Sequence, residues 1–330
     1  MDDPRVTADD RLHLGVTPWR DDWDGTADSL AAQAERAEEL GYQSLWLPES
    51  HFTGRSANPA PLLRLAVVAA RTQRLRLGTT SLLLPVRHPI HVAEEVAVLD
   101  RLSNGRVILG VGRGFRKALF AAFDVPRREK RDRFEVALKT ILAAWRGDAV
   151  AWESADTEDG ASTPVRLAPR PVQKPHPPIW VAAFGPKALA QAGRLGLPYL
   201  ASPIESFSQL VENYRRHREA LPDPAPASLA VPVMRTIFVS KNASELRHAR
   251  EALTKQAAAL GKASIASIRR VADQDLDAWA LTGEPNRVAD EIHRYREALG
   301  MTHLIARIQI PDLEPKALTA SLELLAQLER

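Results

Sequence analysis

LRLGTTSLLLPVRHPIHVAEEVAVLDRLSNGRVILGVG, residues Leu75–Gly112, is the stretch that decides the fold. Leu75–Leu84 is a strand rich in Leu and Thr. His91–Leu102 places Val92, Val96 and Leu99 on one stripe and reads as a helix. Ser103–Arg106 (SNGR) turns the chain, and Val107–Gly112 is a second strand, apolar on both faces as a parallel strand buried between helices should be.

The same alternation runs outward in both directions. Arg11–Val16 and Ser44–Pro48 are strands before it; Ile179–Ala183, Leu197–Ser202, Leu229–Val239 and His303–Ile310 are strands after it. Helices are predicted after Thr26 or Asp28 up to Leu40, and over Pro59–Arg71, Arg131–Trp145, Pro186–Leu195, Ser206–Leu221, Ser244–Leu260, Pro285–Leu299 and Pro315–Leu328. Eight strands, most followed by a helix, predict an α/β protein of the (β/α)8 TIM-barrel type, with residues 1–330 as one domain. Residues 148–178, polar and rich in Pro, read as an insertion after the fourth helix, with a β segment near Val165–Leu167. A second, variable segment at 261–283, irregular or a short helix, precedes the last helices. A doubly wound sheet would place a glycine-rich phosphate turn after the first strand, where TPWRDDW stands instead.

Composition removes whole classes of chemistry. The chain has no cysteine, so disulfides, thiolate metal sites and a Cys nucleophile are out. Lys+Arg 44 against Asp+Glu 41 leaves +3, with the signs interspersed, which is no nucleic-acid footprint. No apolar run approaches the roughly 18 residues of a membrane span, and the acidic start has no signal-peptide core, so a cytoplasmic protein is expected.

In a barrel of this kind the site lies at the C-terminal ends of the strands. Glu49, Ser50, His51 and Phe52 follow the second strand there; Thr80, Ser81, Arg87 and His88 lie in or after the third. Arg113 and Gly114 follow the fourth, Gly185, Pro186 and Lys187 the fifth, and Ser202 the sixth. His51 is a candidate hydrogen-bond donor or proton shuttle. Gly112 and Gly114 leave room for a flat ligand, and Arg113 suits an anion. GVGRGF (Gly110–Phe115) lacks dinucleotide spacing, since the third glycine would fall on Phe115. GPKAL (Gly185–Leu189) opens a helix whose free N–H groups, with Lys187, suit a phosphate. His88 and His91 lack the carboxylate or Cys companions of a metal site, so no metal is expected and His88 reads as solvated or capping. RREKRDR (Arg127–Arg133) reads as a solvated helix start.

GTTSLLLPVRHPIHVAEEVAVLDRLSNGRVILGVGRG (Gly78–Gly114) resembles the bacterial luciferase-like flavin-dependent monooxygenases. SLWLPESHF (Ser44–Phe52), FDVP (Phe123–Pro126), PPIWVAAFGPKAL (Pro177–Leu189) and GMTHLIARIQIPDL (Gly300–Leu313) extend the resemblance along nearly the whole chain. It implies a barrel, often dimeric, that binds reduced FMN supplied by a separate flavin reductase. The implied chemistry is reaction with O2 through a flavin 4a-hydroperoxide, oxygenating a small organic substrate. It further implies catalytic roles at His51 and Ser50, although Ser50 stands where the family carries a first histidine. Thr80, Ser81, Arg113, Gly114, Gly185, Pro186, Lys187 and Ser202 are the implied cofactor contacts, with a non-prolyl cis peptide at Thr80–Ser81. Gly112 occupies the position of a luciferase cysteine, and Phe184-Gly185 that of a phosphate-binding Glu-Ser. The alternatives are a 5-deazaflavin-dependent hydride-transferring oxidoreductase and a flavin-binding protein without turnover.

Overall fold

The computed structural model describes residues 11–20, 27–54, 57–152, 163–261, 269 and 273–328. The strands are β1 (His13–Val16), β2 (Ser44–Leu47), β3 (Arg76–Thr79), β4 (Leu82–Leu83), β5 (Val107–Gly112), β6 (Val150–Trp152), β7 (Thr163–Val165), β8 (Ile179–Ala182), β9 (Tyr199–Leu200), β10 (Pro232–Val239), β11 (Ala280–Gly283) and β12 (His303–Arg307). All eight strands expected from the sequence are present. Helices over Pro285–Leu299 and Pro315–Leu328 have the expected bounds. The first helix starts at Ala27; its proposed cap Thr26 lies outside the described residues. Among the described residues no helix is long and apolar enough to cross a membrane.

Three expectations need correcting. The third strand is not continuous: it breaks at Thr80–Ser81 into β3 and β4. The segment ending at Thr282 contains a strand, because ALTG (Ala280–Gly283) pairs in parallel with the C-terminal half of β10. The β segment of the 148–178 insertion lies at Thr163–Val165 and pairs antiparallel with β6.

The chain forms two compact units. One comprises Met1–Asp22, Glu35–Trp46 and Ala183–Arg330. In it β1 pairs in parallel with β2 and β12, and β10 with β12 and β11. Every residue of β10 is buried, as befits a central parallel strand. The helix Phe207–Glu219 behind β9 starts with a capping box: Ser206 Oγ accepts from the Gln209 N–H, and the Ser206 N–H donates to Gln209 Oε1 at 2.8 Å.

The other unit comprises Trp23–Ala34 and Leu47–Ala182. Here β5 is central, pairing in parallel with β3, β4 and β8. The helix Pro89–Leu102 buries Val92, Val96 and Leu99, the stripe read from the sequence. Two ion-like anchors lock the connections. Arg106 donates to the carbonyls of Ala69 (2.9 Å), Leu75 (2.8 Å) and Ser103 (2.7 Å), closing the end of the helix Pro61–Arg71. Asp100, fully buried, accepts from the N–H groups of Val172 (2.8 Å) and Gln173 (3.0 Å) and from Gln173 Nε2 (2.7 Å). It thereby fixes the return of the insertion to the start of β8. Asp100→Ala removes the acceptor of three part-buried donors, and a loss of about 2 kcal/mol is expected. Urea unfolding measures it; a variant as stable as the parent contradicts the anchor.

Candidate functional site

The second unit places a cluster of polar side chains at the C-terminal ends of its strands. Glu49 follows β2, and its side chain is 1% exposed. Its Oε1 lies 2.7 Å from His51 Nε2. Its Oε2 accepts from the Leu83 backbone N–H at 2.7 Å, and Arg87 donates from Nη2 (3.0 Å) and Nε (3.1 Å) to Oε1. Arg87 also reaches the Pro59 carbonyl at 3.1 Å. One carboxylate thus joins the loops after β2 and β4. An ionised carboxylate only accepts, so the imidazole proton lies on Nε2 and the lone pair on Nδ1.

The loop itself is closed by Ser50 and Asn58, which exchange both backbone bonds, at 3.0 and 2.8 Å. Ser50 Oγ accepts from the Asn58 N–H at 3.0 Å, and Asn58 Nδ2 donates to the Pro48 carbonyl at 2.6 Å. Ser50 therefore shapes the loop that carries His51. The His51 ring meets the Phe123 ring edge-on, with centroids 5.1 Å apart, and Phe52 at 5.8 Å. Phe52 is 65% and Phe123 40% exposed. Phe52 has φ +58°, a left-handed backbone that bulky residues rarely adopt.

The Thr80–Ser81 peptide is cis, as the resemblance implies. Ser81 faces Gly112 on β5 so closely that a Cβ on Gly112 would overlap Ser81 Oγ. The space a luciferase cysteine would take is filled here by the Ser81 hydroxyl. Beyond Gly112, Arg113 lies over the Phe134 ring at 5.8 Å. Burial, and secondarily Arg131, push the Arg113 pKa down to about 10. Lys130 Nζ donates to the Gly114 carbonyl at 3.4 Å, and burial together with Arg127, Arg113 and Arg131 lowers its pKa. This corrects the reading of Arg127–Arg133 as merely solvated: Lys130 is half-buried and turned toward the end of β5. His88 caps its helix through Nδ1, which accepts from the Ile90 N–H at 3.3 Å.

The first unit carries the remaining sequence candidates. Gly185 has φ +82° and opens the helix Pro186–Arg194; Pro186 and Lys187 are exposed at its first turn. Ser202 is held by a buried network. Its N–H donates to Glu205 Oε2 at 2.7 Å, and its carbonyl accepts from Arg235 Nη1 at 2.9 Å. Glu205 also accepts from Tyr199 Oη and Asn213 Nδ2, each at 2.7 Å, and burial raises its pKa. Sequence reading passed over Glu205 and Arg235, since neither sits in a recognisable motif.

The profile of the luciferase-like monooxygenase family matches residues 11–303. The chain belongs to that family. It is 30% identical over 197 residues to the oxygenase component of the flavin-dependent trigonelline monooxygenase of Acinetobacter baylyi, covering 58% of this chain and 52% of that one. It is 31% identical over 300 residues to the F420-dependent glucose-6-phosphate dehydrogenase of Kineococcus radiotolerans, covering 84% and 86%. Three curated relatives, the trigonelline enzyme among them, are spanned over 63%, 46% and 52% of their own length. The monooxygenase RslO1 of Streptomyces bottropensis superposes with a TM-score of 0.80 at 25% identity, over 96% of this chain and 98% of that one. The fold is accordingly the luciferase-like TIM barrel, and the relatives named include a flavin-dependent monooxygenase and an F420-dependent dehydrogenase.

The Glu49 cluster yields a test. Breaking a fully buried ion pair costs about 3–5 kcal/mol. Arg87 is 22% exposed and Glu49 keeps two other donors, so Arg87→Met is expected to cost about 2 kcal/mol. The double variant Glu49→Gln/Arg87→Met should lose less than the sum of the single changes, because it buries no unpaired charge. Additive losses in urea unfolding would mean that the two side chains are not coupled.

Proposed function

We propose that this protein is the oxygenase component of a two-component monooxygenase that takes reduced FMN from a separate flavin reductase. The observation that carries the proposal is the end of β5. Arg113, Lys130 and Arg131 gather there, close enough that Arg131 adds to burial in lowering the pKa of both Arg113 and Lys130. Such a donor set fits a phosphate group. The Ser81–Gly112 contact fits a planar ring system, since it keeps the strand end free of any larger side chain. Arg113, Lys130 and Gly114 would hold the phosphate side, and Thr80 and Ser81 the ring. Gly185, Pro186, Lys187 and Ser202 are proposed as further cofactor contacts.

Bound reduced FMN would supply the electrons with which O2 is split, one oxygen atom entering the substrate and the other leaving as water. The chain's own part is positional and protic. Glu49 fixes the His51 ring through Nε2, and His51 Nδ1 is the atom that holds or hands over a proton. Phe52 and Phe123 wall the His51 side and exclude water. Ser50 acts by shaping the loop that presents His51. The relative in Kineococcus radiotolerans, matched over 84% of this chain, favours a second reading, with a 5-deazaflavin coenzyme and hydride transfer without oxygen.

Anaerobic titration with reduced FMN and with reduced F420 separates the two. Binding of reduced FMN at least tenfold tighter, with O2 uptake once substrate is present, supports the monooxygenase; the reverse order supports the deazaflavin enzyme, and binding of neither contradicts both. His51→Ala is expected to lower product formation about 100-fold and divert O2 to hydrogen peroxide.

Arg113 adds a pH signature. Burial holds its pKa in the folded chain well below the ordinary guanidinium value, at about 10, so its charge weakens as pH rises through about 10. FMN should therefore bind more tightly than riboflavin at pH 7, and the preference should fade as pH rises through about 10. Arg113→Gln should remove most of the preference at every pH. A preference that survives both changes would place the phosphate elsewhere.

A further inference from the structure

Arg307 is the last residue of β12, at the C-terminal end of the strand. The register pairs it with Thr236 of β10, and its Nη1 donates to Thr236 Oγ1 at 3.2 Å. Thr236 is fully buried and Arg307 half-buried. Among the described residues, that hydroxyl is the only hydrogen-bond partner of the guanidinium, and no carboxylate lies within ion-pair distance of it.

Other arginines have more partners. Arg235, on the neighbouring position of β10, is fully buried and bonds Tyr295 Oη and the carbonyls of Ser202 and Met234 through Nε and Nη1, with Nη2 left unpartnered among the described residues. Arg87 has Glu49, Arg106 has three carbonyls, and Arg250 has Asp277. Removing a guanidinium from water without an acceptor is costly, and near neutral pH arginine keeps its proton and bears the cost. Burial alone drives the Arg307 pKa down, with no opposing anion. Thr236 holds one edge of the fork; the other N–H groups remain for a ligand.

In a (β/α)8 barrel the strand ends of this pole bear the active site. We infer that Arg307, oriented by Thr236, binds an anionic group of the substrate, and that this group is a carboxylate. A planar carboxylate matches the two parallel N–H donors of a guanidinium edge. The substrate class is thus a small carboxylic acid, with Arg307 the specificity-determining residue and Thr236 a positioning residue. The inference rests on the proposed oxygenase reading.

The test is calorimetric titration of the full chain, with and without FMN, using two matched pairs: benzoate with benzamide, and hexanoate with hexanamide. In each pair the acid is expected to bind at least tenfold more tightly than its amide. Arg307→Gln should weaken the acids by tenfold or more and move the amides less than twofold. Arg307→Lys should recover part of the acid preference, and Thr236→Val should weaken acids alone, by about threefold. FMN binding should be unchanged in all three variants. Equal binding of acid and amide by the unaltered protein overturns the inference without any variant, as does failure of both acids to bind at 20 mM. An acid preference that persists in Arg307→Gln also overturns it. If FMN fails to bind the unaltered protein, the oxygenase reading falls separately, and the acid-against-amide comparison still decides the role of Arg307.

Discussion

The buried carboxylate of Glu49 is the constraint on which the site depends. A carboxylate with a side chain 1% exposed survives only if its lone pairs are taken, and four donors take them: the His51 ring, the Leu83 N–H and two N–H groups of Arg87. Those donors come from the loop after β2 and from the chain just after the cis Thr80–Ser81 bond. Charge satisfaction therefore sets the position of His51, the course of β4 and the placement of Arg87 together. The same bond to Nε2 selects the tautomer in which Nδ1 is the basic atom. The proton-handling role proposed for His51 rests in this sense on how Glu49 is buried.

Cations also gather at strand ends. Burial and Arg131 lower the pKa of Arg113 at the end of β5, burial with Arg127, Arg113 and Arg131 lowers that of Lys130, and Arg307 ends β12 with a hydroxyl for its partner. Arg36, Arg215 and Arg250 instead each meet a carboxylate. Clustered positive charge draws anions from outside; in the proposed reading the first place would take the phosphate of the cofactor and the second an acid group of the substrate.

The sequence made the fold legible because short apolar runs such as VILGVG and IWVA, bounded by turn or proline signals, alternate with longer stretches of helical period. What it hid were interruptions with no hydrophobic signature. TT-S gave no sign that the strand breaks at residues 80–81, and ALTG is too short to stand out beside the irregular segment before it. The site was half legible. His51 and Arg113 could be placed from their positions after strands. Arg87 was visible only as one cation among several, since its partner stands 38 residues away. Lys130 was obscured by acidic neighbours, and Arg307 by lying inside an apolar strand whose length was overestimated by three residues. Ser50 was read from a family position as catalytic; its hydroxyl is engaged with the Asn58 N–H in closing the loop.

Glu49 is the chief link between the loop after β2 and the chain around Leu83. Hydrogen–deuterium exchange of the Glu49→Ala variant, read segment by segment against the parent, tests it most directly. Protection at Leu83 should fall together with that of residues 49–54 and 87, while the helix Pro285–Leu299, remote in sequence and in the other unit, should keep its own. Unchanged exchange at Leu83, or loss of protection in one loop without the other, would contradict the account.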